Sequence, residues 1–158
     1  YKNIPAIDIV KNYEEFNSAS SIFKVYKRLT TEPKPMEVEL STAQIGIGLG
    51  LEEYEIYSRF CDKEEFQPIL NSMMVFPALV YVFEELKQEN GIENYAGTNW
   101  YISLSKAYEK RGVDLENEML YSDKTSVQLA QEAMELPLNA ALRKFADLFE
   151  TGEEEEDV

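Results

Sequence analysis

The chain has 158 residues, of which 44% are hydrophobic and 12% aromatic, so it can form one domain with a core of its own. It carries 15 basic and 30 acidic side chains, a formal net charge of -15, and a surface of that sign repels nucleic-acid phosphates and anionic lipids. Histidine is absent, which excludes Ser-His-Asp and Cys-His mechanisms and histidine metal sites.

The first residues allow two interpretations. In a helix from Pro5 to Phe16, the side chains of Ile9, Tyr13 and Phe16 would lie on one face, because their spacings are four and three. The stretch IPAIDIV suits an extended sheet edge equally well. The chain begins at Tyr1 without an initiator Met, which suggests trimming, processing or renumbering of a longer chain, of which this sequence would be a fragment.

From Ser21 the apolar residues recur with a period of two. Three short runs, SIFKVYKRL, MEVEL and IGIGL, alternate between apolar and other residues, and turn residues separate them. They predict a three-stranded antiparallel meander from Ser21 to Leu49. The acids Glu37 and Glu39 of the second strand would then lie opposite the bases of the first, at ~0.2–1 kcal/mol per pair.

The stretch from Phe66 to Glu89 is the most apolar part of the chain and predicts a central helix. Between Ile69 and Phe83 only Asn71 and Ser72 are polar, so such a helix has to be covered on nearly every side. The run is shorter than the ~20 apolar residues that cross a bilayer, which disfavours a membrane span. Pro77 lies inside the run and is expected to kink or divide the helix, and Asn90-Gly91 to close it.

Four further helices are predicted around this one. One spans Leu51 to Phe60, another begins at Thr98 and ends at Gly112, and a third begins at Ser122 or Asp123. The last is an amphipathic helix ending at Gly152, with an apolar stripe made of Leu138, Ala141, Leu142, Phe145 and Phe149. The predicted fold class is α+β: the meander, then a bundle of four to five helices around the central apolar helix.

Residues 1–152 are predicted to form a single domain, and residues 153–158 an acidic C-terminal tail. Single-sign runs of this kind solvate a chain or bind a basic partner, so the candidate partner-binding residues are Glu153, Glu154, Glu155, Glu156 and Asp157. The only cysteine, Cys61, cannot form an internal disulfide, and no signal peptide is visible, so we expect a cytoplasmic protein.

Three short motifs are too incomplete to support a cofactor or metal site. GIGLG follows a strand as a dinucleotide fingerprint does, but the third glycine position is occupied by Leu51. Ser103 and Lys106 match SxxK without the partner motifs of penicillin-recognising enzymes. The acids of DLENE, residues 114–118, lack the central Gly and bidentate Glu of an EF-hand, which favours a solvated acidic turn. We therefore expect no cofactor and no metal.

The leading hypothesis is a non-enzymatic cytoplasmic interaction module, or a subunit of a larger assembly, with a basic protein as its partner. The first alternative is an enzyme that depends on carboxylates or Lys, with Tyr54, Glu84 and Tyr108 in a cleft between helices. The second is an acidic mimic of nucleic acid that occupies the phosphate groove of a DNA-binding protein. Direct binding of nucleic acid or membrane is not expected.

Overall fold

The computed structural model describes residues 22–156 of the chain, with side chains described for residues 22–150. Within that range lie three strands and seven helices, which confirms the α+β class. They are β1 (Phe23–Lys27), β2 (Glu37–Leu40), β3 (Ile45–Leu49), α1 (Leu51–Phe60), α2 (residues 67–87), α3 (Gly91–Tyr95), α4 (Asn99–Lys110), α5 (Leu115–Tyr121), α6 (Ser126–Ala133) and α7 (Pro137–Glu156). The segment from Pro5 to Phe16 lies outside the described residues.

The sheet is mixed, so the predicted antiparallel meander is wrong. Its strand order is β1-β3-β2, with β1 parallel to β3 and β2 antiparallel to it. The second hairpin forms as predicted, and the Ser41 N–H donates to the Gln44 carbonyl at 3.2 Å across its turn. The first hairpin does not form, because residues 28–36 carry the chain past β3 to the far edge. Alternation shows which face of a strand is buried, but it does not show which strand lies beside it.

The two faces of the sheet differ in polarity as the alternation predicts. Phe23, Val25, Ile45 and Ile47 are buried on the inner face, which belongs to the hydrophobic core shared with α2. On the outer face, Gly46 and Gly48 of β3 lie between the polar residues of the two edge strands. The acids of β2 therefore face the first strand across glycines rather than directly, and the Tyr26 hydroxyl still reaches Glu37 Oε2 at 3.1 Å.

Helix α2 is the predicted central helix, but Pro77 does not divide it. The helix consists of Gln67–Leu70, a π turn at Asn71–Val75, and Phe76–Lys87. The Phe76 N–H bonds to the Asn71 carbonyl, five residues back. Proline has no N–H to donate to the previous turn, and the wider ring immediately before it lets the helix continue.

One side of α2 forms the middle of the core, and the other is only partly covered. Ala78, Leu79, Val82, Phe83 and Leu86 are buried, and α2 packs against β2, α3, α5, α6 and α7. Met73 is 65% exposed and Tyr81 is also exposed. The expectation that α2 is covered by other elements on nearly every side is therefore wrong for the side that carries these two residues. The 24-residue helical stretch Glu64–Lys87 is long and apolar enough to cross a membrane, but a core helix passes the same test, so this is weak evidence.

Only some of the remaining helices begin at the residue that the sequence predicts. Thr98 is the N-cap of α4, and its hydroxyl accepts from the Tyr101 N–H at 3.3 Å. The cap of α6 is Thr125 rather than Ser122 or Asp123, because Thr125 and Gln128 form a reciprocal capping box.

The predicted count of four to five helices was too low. The acidic DLENE segment opens an additional helix, α5, with Asp114 as its N-cap, and α3 is a further short helix after Asn90. Helix α7 does not stop at Gly152 but continues to Glu156. Glycine disfavours a helix interior by only about 1 kcal/mol relative to Ala, and the glutamates that follow are good helix formers.

Candidate interaction surface

Helix α7 packs on the protein through its smaller residues. Its principal contacts are with residues 67–75 of α2. Pro137 and Ala141 are buried on this side, and Ala140 is half-buried. Because small side chains remove little apolar area from water, this contact contributes less stability than one made by leucine and phenylalanine.

The large apolar residues of α7 point away from the core. Leu138, Leu142, Phe145 and Phe149, which we call the α7 stripe, are 47%, 60%, 55% and 61% exposed. Their spacings of four, three and four place them in one row on the helix. The rings of Phe145 and Phe149 lie 4.8 Å apart, so the two aromatic side chains form one continuous surface. A contiguous exposed apolar row is typical of a site that binds another molecule.

The C-terminal end of the α7 stripe is strongly acidic. Glu150 is exposed one residue after Phe149, and the last helical turn contains the acids of residues 153–156. The carbonyl end of a helix already has a partial negative charge, so acids here are unfavourable and cations are attracted. The charge along α7 therefore changes from the bases Arg143 and Lys144 in its middle to acids from Glu150 onwards.

Four of the five predicted partner-binding residues thus belong to the helix that carries the apolar stripe. Residues 153–156 lie within α7, whereas Asp157 lies outside the described residues. The sequence showed both the amphipathic pattern and the acidic run. It did not show that the large residues of the stripe face outwards, because periodicity gives the width of an apolar face and not what covers it.

The three residues named for a possible enzyme have different surroundings. Tyr54 is buried with Tyr57, at a ring separation of 6.0 Å, and lies near Lys27. Tyr108 is buried against Phe83 in an edge-to-face contact.

The carboxylate of Glu84 accepts a hydrogen bond from the Ser126 hydroxyl, which joins α2 to α6. Each of these side chains therefore has a packing role in its own place, and these contacts give the cleft hypothesis no support.

A shallow polar cavity of about 320 Å³ lies on the outer face of the sheet. It is lined by Lys24, Tyr26, Glu39, Ser41, Ala43, Gln44 and Gly46. Burial, followed by the hydrogen bond to Glu37 and the charges of Glu37 and Glu39, raises the pKa of Tyr26 to about 12. A phenol with that pKa stays protonated at neutral pH, so it does not provide a general base here.

Two fully buried amide side chains lie one helical turn apart in α2, and the second, Asn71, is the first residue of the π turn. Gln67 Nε2 donates to the Cys61 carbonyl at 2.5 Å, whereas Gln67 Oε1 and both polar atoms of Asn71 have no hydrogen-bond partner. A buried polar group without a partner costs about 1–3 kcal/mol. The segment on which α7 packs therefore includes buried polar atoms whose desolvation is not offset by hydrogen bonds.

The incomplete sequence motifs have structural explanations. Gly46 and Gly48 lie beneath the Tyr26 ring, and Cys61 is buried at the end of α1. Among the described residues, no three Cys, Asp or Glu side chains come together as a metal site would require. The chain matches no protein-family model, no curated protein and no solved structure.

Proposed function

We propose that the protein is a non-enzymatic interaction module, or a subunit of a larger assembly, which binds a protein partner through α7. The observation that carries this proposal is the orientation of the helix: Ala141 is turned inwards while Phe145 and Phe149 are more than half exposed. A helix that served only to cover the core would be more stable with its phenylalanines buried. Their exposure is accounted for when a partner covers them.

The partner is basic. The chain has a net charge of -15, and Glu150 and residues 153–156 concentrate negative charge at the end of the α7 stripe. Such a field speeds the approach of cationic proteins and repels anionic ones, nucleic acid and acidic lipid included. The predicted residues Glu153, Glu154, Glu155, Glu156 and Asp157 thus supply attraction, and the stripe supplies the apolar contact. We place this interaction in the cytoplasm, because a single cysteine provides no internal disulfide.

Site-specific photo-crosslinking tests the proposal. A photoreactive phenylalanine analogue is introduced at Phe145, and in a matched control at Leu29, which is 89% exposed in a loop. We expect the first variant alone to crosslink to a defined protein in cells of the source organism. The crosslink should be lost when Phe149 is also replaced by Glu, and in extracts of the same cells it should weaken as the salt concentration rises. Equal crosslinking from both positions, or none from Phe145, would reject α7 as the binding surface.

A further inference from the structure

We propose that the occupant of the α7 stripe is a basic amphipathic helix of the partner, lying antiparallel to α7. This inference rests on the function proposed above and names the kind of partner that the same surface takes. It follows from the shape of the stripe, from the distribution of charge along α7, and from the charges of the competing occupants.

The shape of the stripe fits one helix. From Leu138 to Phe149 the row is about 16 Å long at 1.5 Å per residue, and it is one side chain wide. A second helix with apolar residues at matching spacings of three and four fills such a row by placing its side chains between those of α7. On the neighbouring face Ala141 is buried, whereas Leu148 is 36% exposed and borders the seam next to Phe149.

The charge of α7 fixes the chemistry of the partner at one end. Glu150 is exposed beside the seam, and Glu153 follows Phe149 by about one helical turn. Lysine or arginine on the partner helix is required next to these positions. Near Leu138 there is no acidic residue within the first turn of α7, and Arg143 and Lys144 follow Leu142, so the requirement for positive charge is restricted to the end of α7 from Glu150 onwards.

The helix dipoles favour an antiparallel arrangement. The C-terminal end of α7 has the partial negative charge of its last carbonyl groups in addition to its acids. An antiparallel partner places its own N-terminal end, where N–H groups give a partial positive charge, beside residues 150–156. A parallel partner would bring two negative helix ends together at the most acidic part of the molecule.

Other occupants are less favourable on charge. A second copy of the chain would bring two molecules of net charge -15 together. The chain's own residues 1–21 contain two bases, Lys2 and Lys11, and three acids, Asp8, Glu14 and Glu15, for a net charge of 2 - 3 = -1. Neither candidate has the net positive charge that the acidic end of the stripe favours.

Two synthetic peptides test the inference on the full chain. Both are about 18 residues long, or five helical turns, with leucines at the same helical positions. One has lysines at the remaining positions and the other has glutamates. We expect fluorescence anisotropy to show saturable binding of the lysine peptide and none of the glutamate peptide. Replacement of Phe145 by Glu should weaken binding about tenfold or more, as for a central anchor of an interface, while Leu29→Glu should leave it unchanged.

A matched pair of charge reversals tests the acidic end. Glu150→Lys should weaken binding of the lysine peptide at low salt, and this difference should shrink as the Debye length falls. Glu52→Lys makes the same change in net charge on the exposed side of α1, and it should have a smaller effect. Equal effects of the two reversals would show that only the total charge matters, which contradicts the proposed placement.

Orientation is measured by proximity crosslinking. Single cysteines are introduced at Asn139 or Thr151, near the two ends of α7, and the lysine peptide carries a cysteine-reactive group at its N- or C-terminus. The antiparallel arrangement predicts that the N-terminal group reacts with position 151 and the C-terminal group with position 139. The reverse pattern would overturn the proposed direction.

Several outcomes would overturn the inference as a whole. They are equal binding of both peptides, binding that Phe145→Glu does not change, a dimer in solution that Phe145→Glu dissociates, and lysine-peptide binding that appears only when residues 1–21 are removed. The last two would assign the stripe to a second copy or to the chain's own N-terminal segment. If position 145 crosslinks to a protein in cells while the lysine peptide does not bind, the interaction module stands and this choice of partner is wrong.

Discussion

The ring of Tyr26 lies directly across Gly48. A Cβ atom added to Gly48 would stand 2.7 Å from both Cζ and the hydroxyl oxygen of Tyr26, and one added to Gly46 would stand 2.9 Å from Cε1. These glycines therefore make room for a ring from the neighbouring strand, which in turn brings the Tyr26 hydroxyl within 3.1 Å of Glu37. Through this ring, residues of β1 and β2 interact although β3 separates the two strands.

We expect Gly48→Ala to destabilise the protein by about 1–3 kcal/mol, because the added methyl group displaces the ring as overpacking does. Urea unfolding midpoints measure the change. The control is the same substitution in a Tyr26→Ala background, where the space is open and alanine should be tolerated. If Gly48→Ala costs the same in both backgrounds, the ring is not the reason for the glycine.

The stability of the sheet is expected to fall at high pH through Tyr26. Burial, then its interactions with Glu37 and Glu39, raises the pKa from 10.0 to about 12, so the folded protein holds this proton more tightly than the unfolded chain. The resulting stabilisation is complete below pH 10 and disappears as the pH rises to about 12. Tyr26→Phe should lose less stability over that interval than the wild type. Parallel curves for the two proteins would contradict this assignment.

The sheet shows what the sequence could and could not predict. Alternation identified all three strands and buried residues such as Val25 and Ile47, but Leu29, in the apolar pattern of the first run, lies beyond β1 and is 89% exposed. Strand order depends on the course of residues 28–36, which contain turn residues compatible with either topology. The pair Gly46 and Gly48 was an available signal, because glycines on one face of a strand leave room for a large side chain from a neighbour.

The sequence predicted the proposed interaction surface only in part, and the reason differs from that for the sheet. The pattern that predicts α7 is the same whether Phe145 and Phe149 face the core or the solvent, since periodicity describes the helix alone. The side of α7 that packs inwards depends on the shape of residues 67–75, on which it lies. That segment includes a π turn, which no short sequence pattern predicts. The acidic residues were identified, but their position at the end of an apolar stripe depended on the helix continuing past Gly152.

Leu79 tests whether α2 is the centre of the core. Its side chain is fully buried, so Leu79→Ala should destabilise the protein by ~2–5 kcal/mol through lost burial and the cavity left behind. Met73 lies on the same helix but is 65% exposed, and Met73→Ala should therefore cost far less. Denaturant midpoints for the two variants make the comparison. Similar losses would mean that the two sides of α2 do not differ in burial as described.

The joint between α6 and α7 is strained, and relieving the strain should stabilise the protein. Glu135 and Leu136 have φ values of 56° and 60°, in the left-handed region that costs a non-glycine residue roughly 1–2 kcal/mol. Glu135→Gly should raise the melting temperature, since the 4.0 Å ion pair with Arg111 that it removes is exposed and weak. Lys106→Gly, in the exposed part of α4, should lower it by the usual helix penalty. A loss at Glu135 comparable to the control would indicate that this residue is not held in the left-handed conformation.

The final prediction concerns removal of residues 153–158. The deletion removes five acids and no base, so the formal charge changes from -15 to -10. The melting temperature should stay the same or rise slightly, because acids at the C-terminal end of α7 oppose the helix dipole. Binding of the lysine peptide should weaken at low salt, and the difference from the full chain should disappear near 1 M salt, where the Debye length is about 3 Å. The apolar contact with the α7 stripe then remains as the salt-independent part.

A matched control separates local from total charge. Five acid-to-amide substitutions at exposed residues outside both α7 and the segment on which it packs (Glu52, Glu53, Glu55, Glu89 and Glu93) lower the negative charge by the same amount. The deletion should weaken peptide binding more than this control, because nearby charges are less screened than distant ones. If the truncated chain unfolds, the last turn of α7 stabilises the domain instead. If binding is unchanged at low and high salt alike, residues 153–157 do not contribute to the partner site.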